Sequence, residues 1–305
     1  MLNRILFAIL MIVIASSMTL PFDAHNHIHM GKANPSIALE PLSGMAVMST
    51  HPRDFKVVKD IADNSDPEKV VIPCLGIHPW FLHELTKDDW KIADEDIGEA
   101  DDSAPTWVKI LDSFIASDPS IVVGEIGLDN FHFDPITKKL TSDMETQVRA
   151  LEYQLALATK YQRPVSLHCV RAMGKLVNTL SESQQKLGTL PPRIYFHAFG
   201  GKAATVQQLI KTLEKKKNNT KVYFGFAPII NFDSKKTIQV MQSVGIERLV
   251  LETDHEDASR VPTSMKLGRE VIARALEITQ EELIHQTNKN AKDLYGLCWP
   301  HTNQL

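Results

Sequence analysis

The chain has 305 residues, 43% hydrophobic and 23% charged, the proportions of an ordinary soluble globular protein. Three cysteines (Cys74, Cys169 and Cys298), far apart and without a CxxC pair, exclude both a disulfide framework and a thiolate zinc site. A formal charge of −4 excludes attraction of polyanions by net charge, so any nucleic-acid contact needs a local basic patch.

Residues 1–17 form an apolar N-terminal segment in which Arg4 precedes an eleven-residue apolar run, 5–15, ending in Ala15-Ser16-Ser17. That is the pattern of a secretory signal or anchor, and it is well below the ~20 residues that span a bilayer. The other reading is that translation begins at Met18, because the first strand needs only 19–24. The first reading places the protein in the secretory pathway or on a membrane, the second in the cytoplasm. The lone sequon Asn218-Asn219-Thr220 gives weak support to the first.

Over 18–305, short β-branched or apolar runs alternate with helical patterns. Strands are expected at 19–24, 44–50, 70–76, 120–126, 164–168, 193–197, 221–226 and 248–253. Helices are expected near 54–64, 107–117, 143–161, 171–187, 202–216, 234–244 and 263–277. In the clearest of them, Met144, Val148, Leu151, Leu155 and Ala158 recur at three- and four-residue spacing. The tail, 280–296, reads as two short helices packed on the body. Eight strands alternating with helices predict a parallel sheet, and eight is the number that closes a TIM (β/α)₈ barrel as a single domain. The competing architecture, a doubly wound open sheet, lacks a GxGxxG after its first strand. Residues 84–102 carry nine acidic side chains against Lys87 and Lys91. They form a solvated face or, if they overhang the barrel mouth, a surface that repels long polyanions.

In such a barrel the chemistry sits where strands end. Strand one runs into Asp23-Ala24-His25-Asn26-His27, and histidines at i and i+2 on an extended segment point to one side, so both can reach one ion. Strand four ends at Gly124-Glu125, strand five at His168, strand six at His197 and strand eight at Asp254. One histidine after an apolar strand is more often a satisfied core residue, and one aspartate a helix cap. Five strand ends sharing the character point to a metal centre. The donors are nitrogen and oxygen only, which selects Zn²⁺, Mn²⁺, Fe²⁺ or Mg²⁺. Two ions need a bridging carboxylate, for which Glu125 is the natural choice, and water on such ions ionises near neutral pH. Asp254 can ligate one ion and accept the nucleophile's proton.

The stretches FDAHNHIH (22–29), GIHPW (76–80), VGEIGLD (123–129), PVSLHCVRA (164–172), FHAFGG (196–201), LVLETD (249–254) and NAKDLYG (290–296) resemble, as an ordered set, the TatD family of metal-dependent deoxyribonucleases, within the amidohydrolase-like barrel superfamily. The resemblance runs from about Phe22 to Gly296 and implies phosphodiester hydrolysis, in several members as a 3′-exonuclease on DNA. It also implies that His25, His27, Glu125 and Asp254 surround a first ion and that Glu125, His168 and His197 hold a second. Asp23 would then orient a ligand histidine, and His78 would approach the site. Three departures concern substrate recognition. Asp254 is followed by His255-Glu256-Asp257 rather than a small residue and Pro-aromatic; Arg171 sits one position later after His168 than the bacterial arginine; and Asn130-Phe131-His132 replaces an aromatic pair. The chain looks closer to a divergent eukaryotic TatD-like branch than to the bacterial nucleases.

The expected function is thus a hydrolase of nucleic-acid ends or small phosphodiesters using one or two divalent ions, with Arg171, Lys202 and Arg260 as candidate phosphate contacts. The competing functions are hydrolysis of a carboxylic ester, lactone or amide by the same hydroxide, toward which the acidic 84–102 segment leans, and a metal-stabilised interaction scaffold, which would not need an open coordination position.

Overall fold

The computed structural model describes residues 20–91, 104–214, 220–232, 234 and 236–299. The apolar segment 1–17, most of the acidic 84–102 stretch, and Asn218 and Asn219 of the sequon lie outside the described residues. Among the described residues, no helix is long and apolar enough to cross a membrane.

Strands β1 (Phe22–Asn26), β2 (Gly44–Met48), β3 (Val70–Leu75), β4 (Val122–Asp129), β5 (Val165–Val170), β6 (Arg193–Phe196), β7 (Lys221–Gly225) and β8 (Leu249–Val250) make one parallel sheet in chain order. Backbone bonds from Ala24 N to Leu251 O (2.8 Å), His27 N to His255 O (2.9 Å) and Asp254 N to His25 O (2.9 Å) draw the chain after β8 onto β1, so the expected barrel forms. Strands one to four are buried at every position, which is why they read as unbroken apolar runs rather than alternating ones.

The helices are α1 (Pro35–Leu39), α2 (Phe55–Asp63), α3 (Thr106–Ser117), α4 (Met144–Lys160), α5 (Met173–Leu187), α6 (Ala203–Leu213), α7 (Pro228–Asn231), α8 (Thr237–Val244), α9 (Val261–Leu276) and α10 (Gln280–Tyr295). Leu111, Leu151, Leu155, Leu176 and Leu209 pack between helices and sheet. Each contributes about 1.5–3 kcal/mol by leaving water. A separate inner cluster, including Ala46, Ile72, Val122 and Tyr195, fills the barrel itself.

The tail differs from expectation: 280–295 is one continuous helix. Thr279 and Glu282 form a capping box at its start, and Leu283, Ile284, Ala291 and Leu294 keep one face buried along its length. The helix plugs the barrel end opposite the site. Tyr295 Oη donates to Ala24 O (2.5 Å), and Asn288 bonds Phe22 N (2.9 Å) and Leu20 O (2.8 Å).

Helix α4 also departs from its apolar pattern. Met144 and Val148 are only partly buried, while Gln147 and Gln154 are buried. Gln147 accepts from Asp129 N (2.7 Å) and donates to Asp129 O (2.9 Å); Gln154 accepts from Ile77 N (2.7 Å) and donates to Ile77 O (3.3 Å). Paired amides make burial tolerable, and each glutamine pins a strand exit that carries a site residue.

Candidate metal centre

Six side chains from five strands meet at the C-terminal mouth. His25 lies in β1 and His27 just beyond it, Glu125 in β4, His168 in β5, His197 directly after β6, and Asp254 after β8. Three placements differ from the expected strand ends, because β4 continues four residues beyond Glu125, β5 two beyond His168, and β8 stops at Val250, four residues before Asp254. The β4–β5 register shifts between Val123 and Ile126, an irregularity of the kind that re-aims a side chain. Gly127 makes the continuation possible: at φ 151°, a Cβ there would stand 2.0 Å from His168 O.

Glu125 is the hub. Its Oε2 lies 2.9 Å from His27 Nε2 and 3.3 Å from His25 Nε2. Its Oε1 lies 2.6 Å from His197 Nε2, 2.8 Å from His168 Nδ1 and 3.3 Å from His78 Nε2. Despite these approaches Oε1 is buried with no hydrogen bond in line. Asp254 Oδ1 completes the ring, 3.6 Å from His25 Nε2 and 3.7 Å from His27 Nε2. Among the described residues, three sets have ligand atoms within 4.8 Å of one another: His25–Glu125–His197, His25–His27–Asp254 and His78–Glu125–His168.

The outer atoms of the rings fix which nitrogen faces inward. His27 Nδ1 meets Met48 O at 3.0 Å, so it carries a proton and Nε2 is the nitrogen whose lone pair an ion would take. His25 Nδ1 meets Ser166 Oγ (3.0 Å), again leaving Nε2 inward. His168 is reversed: its Nε2 meets Asp129 Oδ2 (3.1 Å), so Nδ1 points at Glu125. His78 Nδ1 accepts from Trp80 N (3.1 Å), which puts its proton on the Nε2 that faces Glu125 and makes it a supporter of the carboxylate rather than a lone-pair donor.

Charge follows the same plan. Burial alone would raise Glu125, but His197, His78 and His25 hold it well below the usual carboxylate range. Burial likewise pushes His27 and His168 down, and the surrounding carboxylates carry both up to about 9. Protons thus stand where a cation's charge would. An all-N/O donor set, two carboxylates and an unbonded buried oxygen fit a divalent ion.

Asp23 departs from its expected role. It accepts from Thr253 Oγ1 (2.7 Å), Thr253 N (3.0 Å), Asn26 Nδ2 (3.1 Å) and His25 N (3.3 Å), fastening β1 to the chain after β8. It holds the backbone of His25, not an imidazole. Burial pushes its carboxyl up to about 7. His29, the third histidine of the cluster, turns away to Asp54 (3.5 Å).

A family model described as TatD related DNase matches residues 22–296. The chain belongs to the TatD family. Similar proteins include the Cut9-interacting protein scn1 of Schizosaccharomyces pombe, 28% identical over 331 residues that span 89% of this chain and 95% of that one. Human deoxyribonuclease TATDN3 is 23% identical over 257 residues, 82% of this chain and 83% of that one. The crystal structure of the Escherichia coli TatD homologue YjjV superimposes with a TM-score of 0.70 at 22% identity, covering 91% of this chain and 98% of that one, and shares the fold.

In this TatD chain the mouth opens into a cavity of about 480 Å³ walled by Trp80, Phe81, Ile229, Ile230, Glu256 and Arg260, among others. Arg260 therefore lines the same cavity as the donors, whereas Arg171 and Lys202 line a neighbouring depression. Asp129 escaped the strand-end reading. Its signal was period two, since 125, 127 and 129 share one side of an extended strand. Besides His168 it accepts from Trp80 Nε1 (2.6 Å), and burial's upward push is overcome by these bonds, which hold it at about 2. Glu252 also went unread: Tyr195 Oη and Ala198 N (2.7 Å) donate to it, anchoring the turn after His197, and burial pushes it up to about 8.

Proposed function

We propose that the chain is a divalent-metal-dependent phosphodiester hydrolase acting on nucleic-acid ends, of the 3′-exonuclease type. The observation that carries this is the convergence of His25, His27, Glu125, His168, His197 and Asp254 at one mouth, in a family described by its DNases. The human relative's name, a deoxyribonuclease, supports the same substrate class.

His25, His27 and Asp254 would hold one ion, and His168 and His197 a second, with Glu125 shared between them. The donor set suits Zn²⁺, Mn²⁺ or Mg²⁺. Bound there, the ions supply Lewis acidity and hydroxide at neutral pH. Asp254 reaches the cavity, so its carboxylate stands where it could receive a proton from the attacking water. Arg260 stands on the wall where a phosphoryl oxygen would lie, and His78 steadies Glu125 from outside the ring.

The test starts from protein stripped by chelator, reloaded with each ion in turn and analysed for metal content. With 5′-labelled single-stranded DNA, a ladder shortening from the 3′ end is expected, abolished by chelator and lowered about 10²–10⁴-fold by Asp254→Asn. Absence of cleavage with every ion in a metal-loaded protein sinks the assignment. A second reading, hydrolysis of a carboxylic ester or amide, is favoured by the acidic wall that Glu256 and Asp257 add to the cavity. Turnover of such substrates without turnover of oligonucleotides would select it.

A further inference from the structure

Beside the metal cavity, and sharing Ile230 with it, lies a second depression of about 910 Å³ formed where β5, β6 and β7 run into α5, α6 and α8. Its electrostatics are the reverse of its neighbour's. The metal cavity contains Glu125, Asp254, Glu256 and Asp257; among the described residues lining the second depression none is acidic, while Arg171, Lys202 and Lys236 are all there. These three are exposed, and among the described residues none of them has a carboxylate partner. In a chain of net charge −4, three cations gathered in one concavity with no carboxylate among its described lining residues need an explanation other than solvation.

Two further features have the same sign. Among the described residues, the helices that open here, α5, α6 and α8, have no side-chain hydrogen bond capping their N-termini; Thr205 N and Thr237 N are taken by Lys202 O (2.9 Å) and Ser234 O (3.0 Å), and the other first-turn amides favour an anion. Arg171 is already held in place, its guanidinium 3.7 Å from the centre of the exposed Phe131 ring. The wall between the two cavities is apolar, with Ile229 and Ile230 each more than half exposed.

We infer that this depression is a track for the phosphate backbone of a single-stranded polynucleotide whose end lies in the metal cavity, with Arg171, Lys202 and Lys236 as the phosphate contacts. Basic side chains would follow the backbone while exposed apolar surface receives unstacked bases, the division of labour that suits a single strand. The inference rests on the hydrolase reading for the substrate's class only. Phosphates upstream of the scissile bond are gripped here, away from the carboxylates that would repel them.

The experiment is equilibrium binding of the full chain, as purified, to a fluorescein-labelled single-stranded DNA with phosphorothioate 3′ linkages, read by anisotropy from about 50 to about 200 mM salt. Neutralising the three cations together (Arg171→Gln, Lys202→Gln, Lys236→Gln) lowers the salt slope by about 0.7 for every phosphate that no longer meets a cation, about 2 in all. The parent should therefore lose about twentyfold more affinity than the triple variant over that fourfold rise. Equal melting temperature and metal content certify the variant. If the triple variant fails that check, Lys202→Gln/Lys236→Gln serves, with an expected slope change of about 1.4. Identical salt slopes and affinities for parent and variant overturn the track. An oligonucleotide that binds through these residues but is never shortened in its unmodified form refutes hydrolysis alone. Cleavage by a parent whose slope the variant shares refutes the track alone.

Discussion

Asp129→Asn tests whether the ring around the centre is held from outside. The carboxylate of Asp129 accepts four bonds: from Trp80 Nε1 (2.6 Å) and His168 Nε2 (3.1 Å) on one side, and from Phe131 N (2.6 Å) and His132 N (2.9 Å) on the other. An amide offers one accepting oxygen, so in either orientation its NH₂ faces two groups that donate. If the NH₂ faces the backbone, the loop after β4 loses both bonds. If it faces His168, the imidazole must move its proton to Nδ1, the atom 2.8 Å from Glu125, and the inward lone pair disappears. Bonds to a charged acceptor are worth about 1.5–3 kcal/mol each, so a loss of roughly 2–4 kcal/mol in stability is expected after partial relaxation. Removing a residue that orients a ligand typically lowers metal affinity about 10–100-fold. Competition with a chromogenic chelator reads the affinity, and urea unfolding of chelated protein reads the stability. An Asp129→Asn protein with the parent's metal affinity and unfolding midpoint would refute the assignment of His168's tautomer to Asp129.

Gln154→Leu keeps the volume of a buried α4 residue and strips Ile77 N of its 2.7 Å acceptor. A buried amide left unsatisfied costs about 1–3 kcal/mol, read as a lower urea midpoint at unchanged slope, whereas an unchanged midpoint would mean the amide finds another partner. Asp54 supplies a pH test. Burial would raise its carboxyl, but bonds with His29 and Thr50 bring it down to about 2. A folded value below the unfolded ~3.9 means that its stabilisation is present above pH ~4 and is lost as pH falls toward ~2. Asp54→Asn should flatten that acid limb of the unfolding profile, and identical limbs for variant and parent count against the bond with His29.

The barrel and its metal-competent residues were legible because both follow from patterns the chain cannot disguise. Strands buried on both faces must be apolar throughout, and a mouth built from strand ends must carry its donors just where those runs stop. His197 obeys the rule, and Asp254 lies four residues past Val250, where β8 stops. Glu125 and His168 bend it, because Gly127 lets β4 and β5 continue side by side past their donors, and no apolar run reports that continuation. The single tail helix was missed for a different reason. Its exposed face is so polar that 280–296 looked interrupted, although Thr279 and Glu282 mark only one beginning.

What the sequence conceals most is the layer that holds the donors. Gln147, Gln154, Ser166 and Thr253 are polar residues at buried positions, each of which hydrophobic patterning scores as an interruption. Their partners are the Asp129 backbone, the Ile77 backbone, the His25 ring and the Asp23 carboxylate. Every one of those partners lies within one residue of an inward-facing group or is itself bonded to one. A polar side chain inside an apolar pattern costs stability unless it is paired, and these four pairings fall beside the mouth, whereas Thr287 and Asn290 of α10 bond backbone carbonyls at the other end of the barrel. Breaks in the pattern of α4, β5 and the chain after β8 are thus a map of the site, drawn in the residues that touch neither an ion nor a substrate. On that map Gln147 and Gln154, seven positions apart on one helix, hold the exits of β4 and β3.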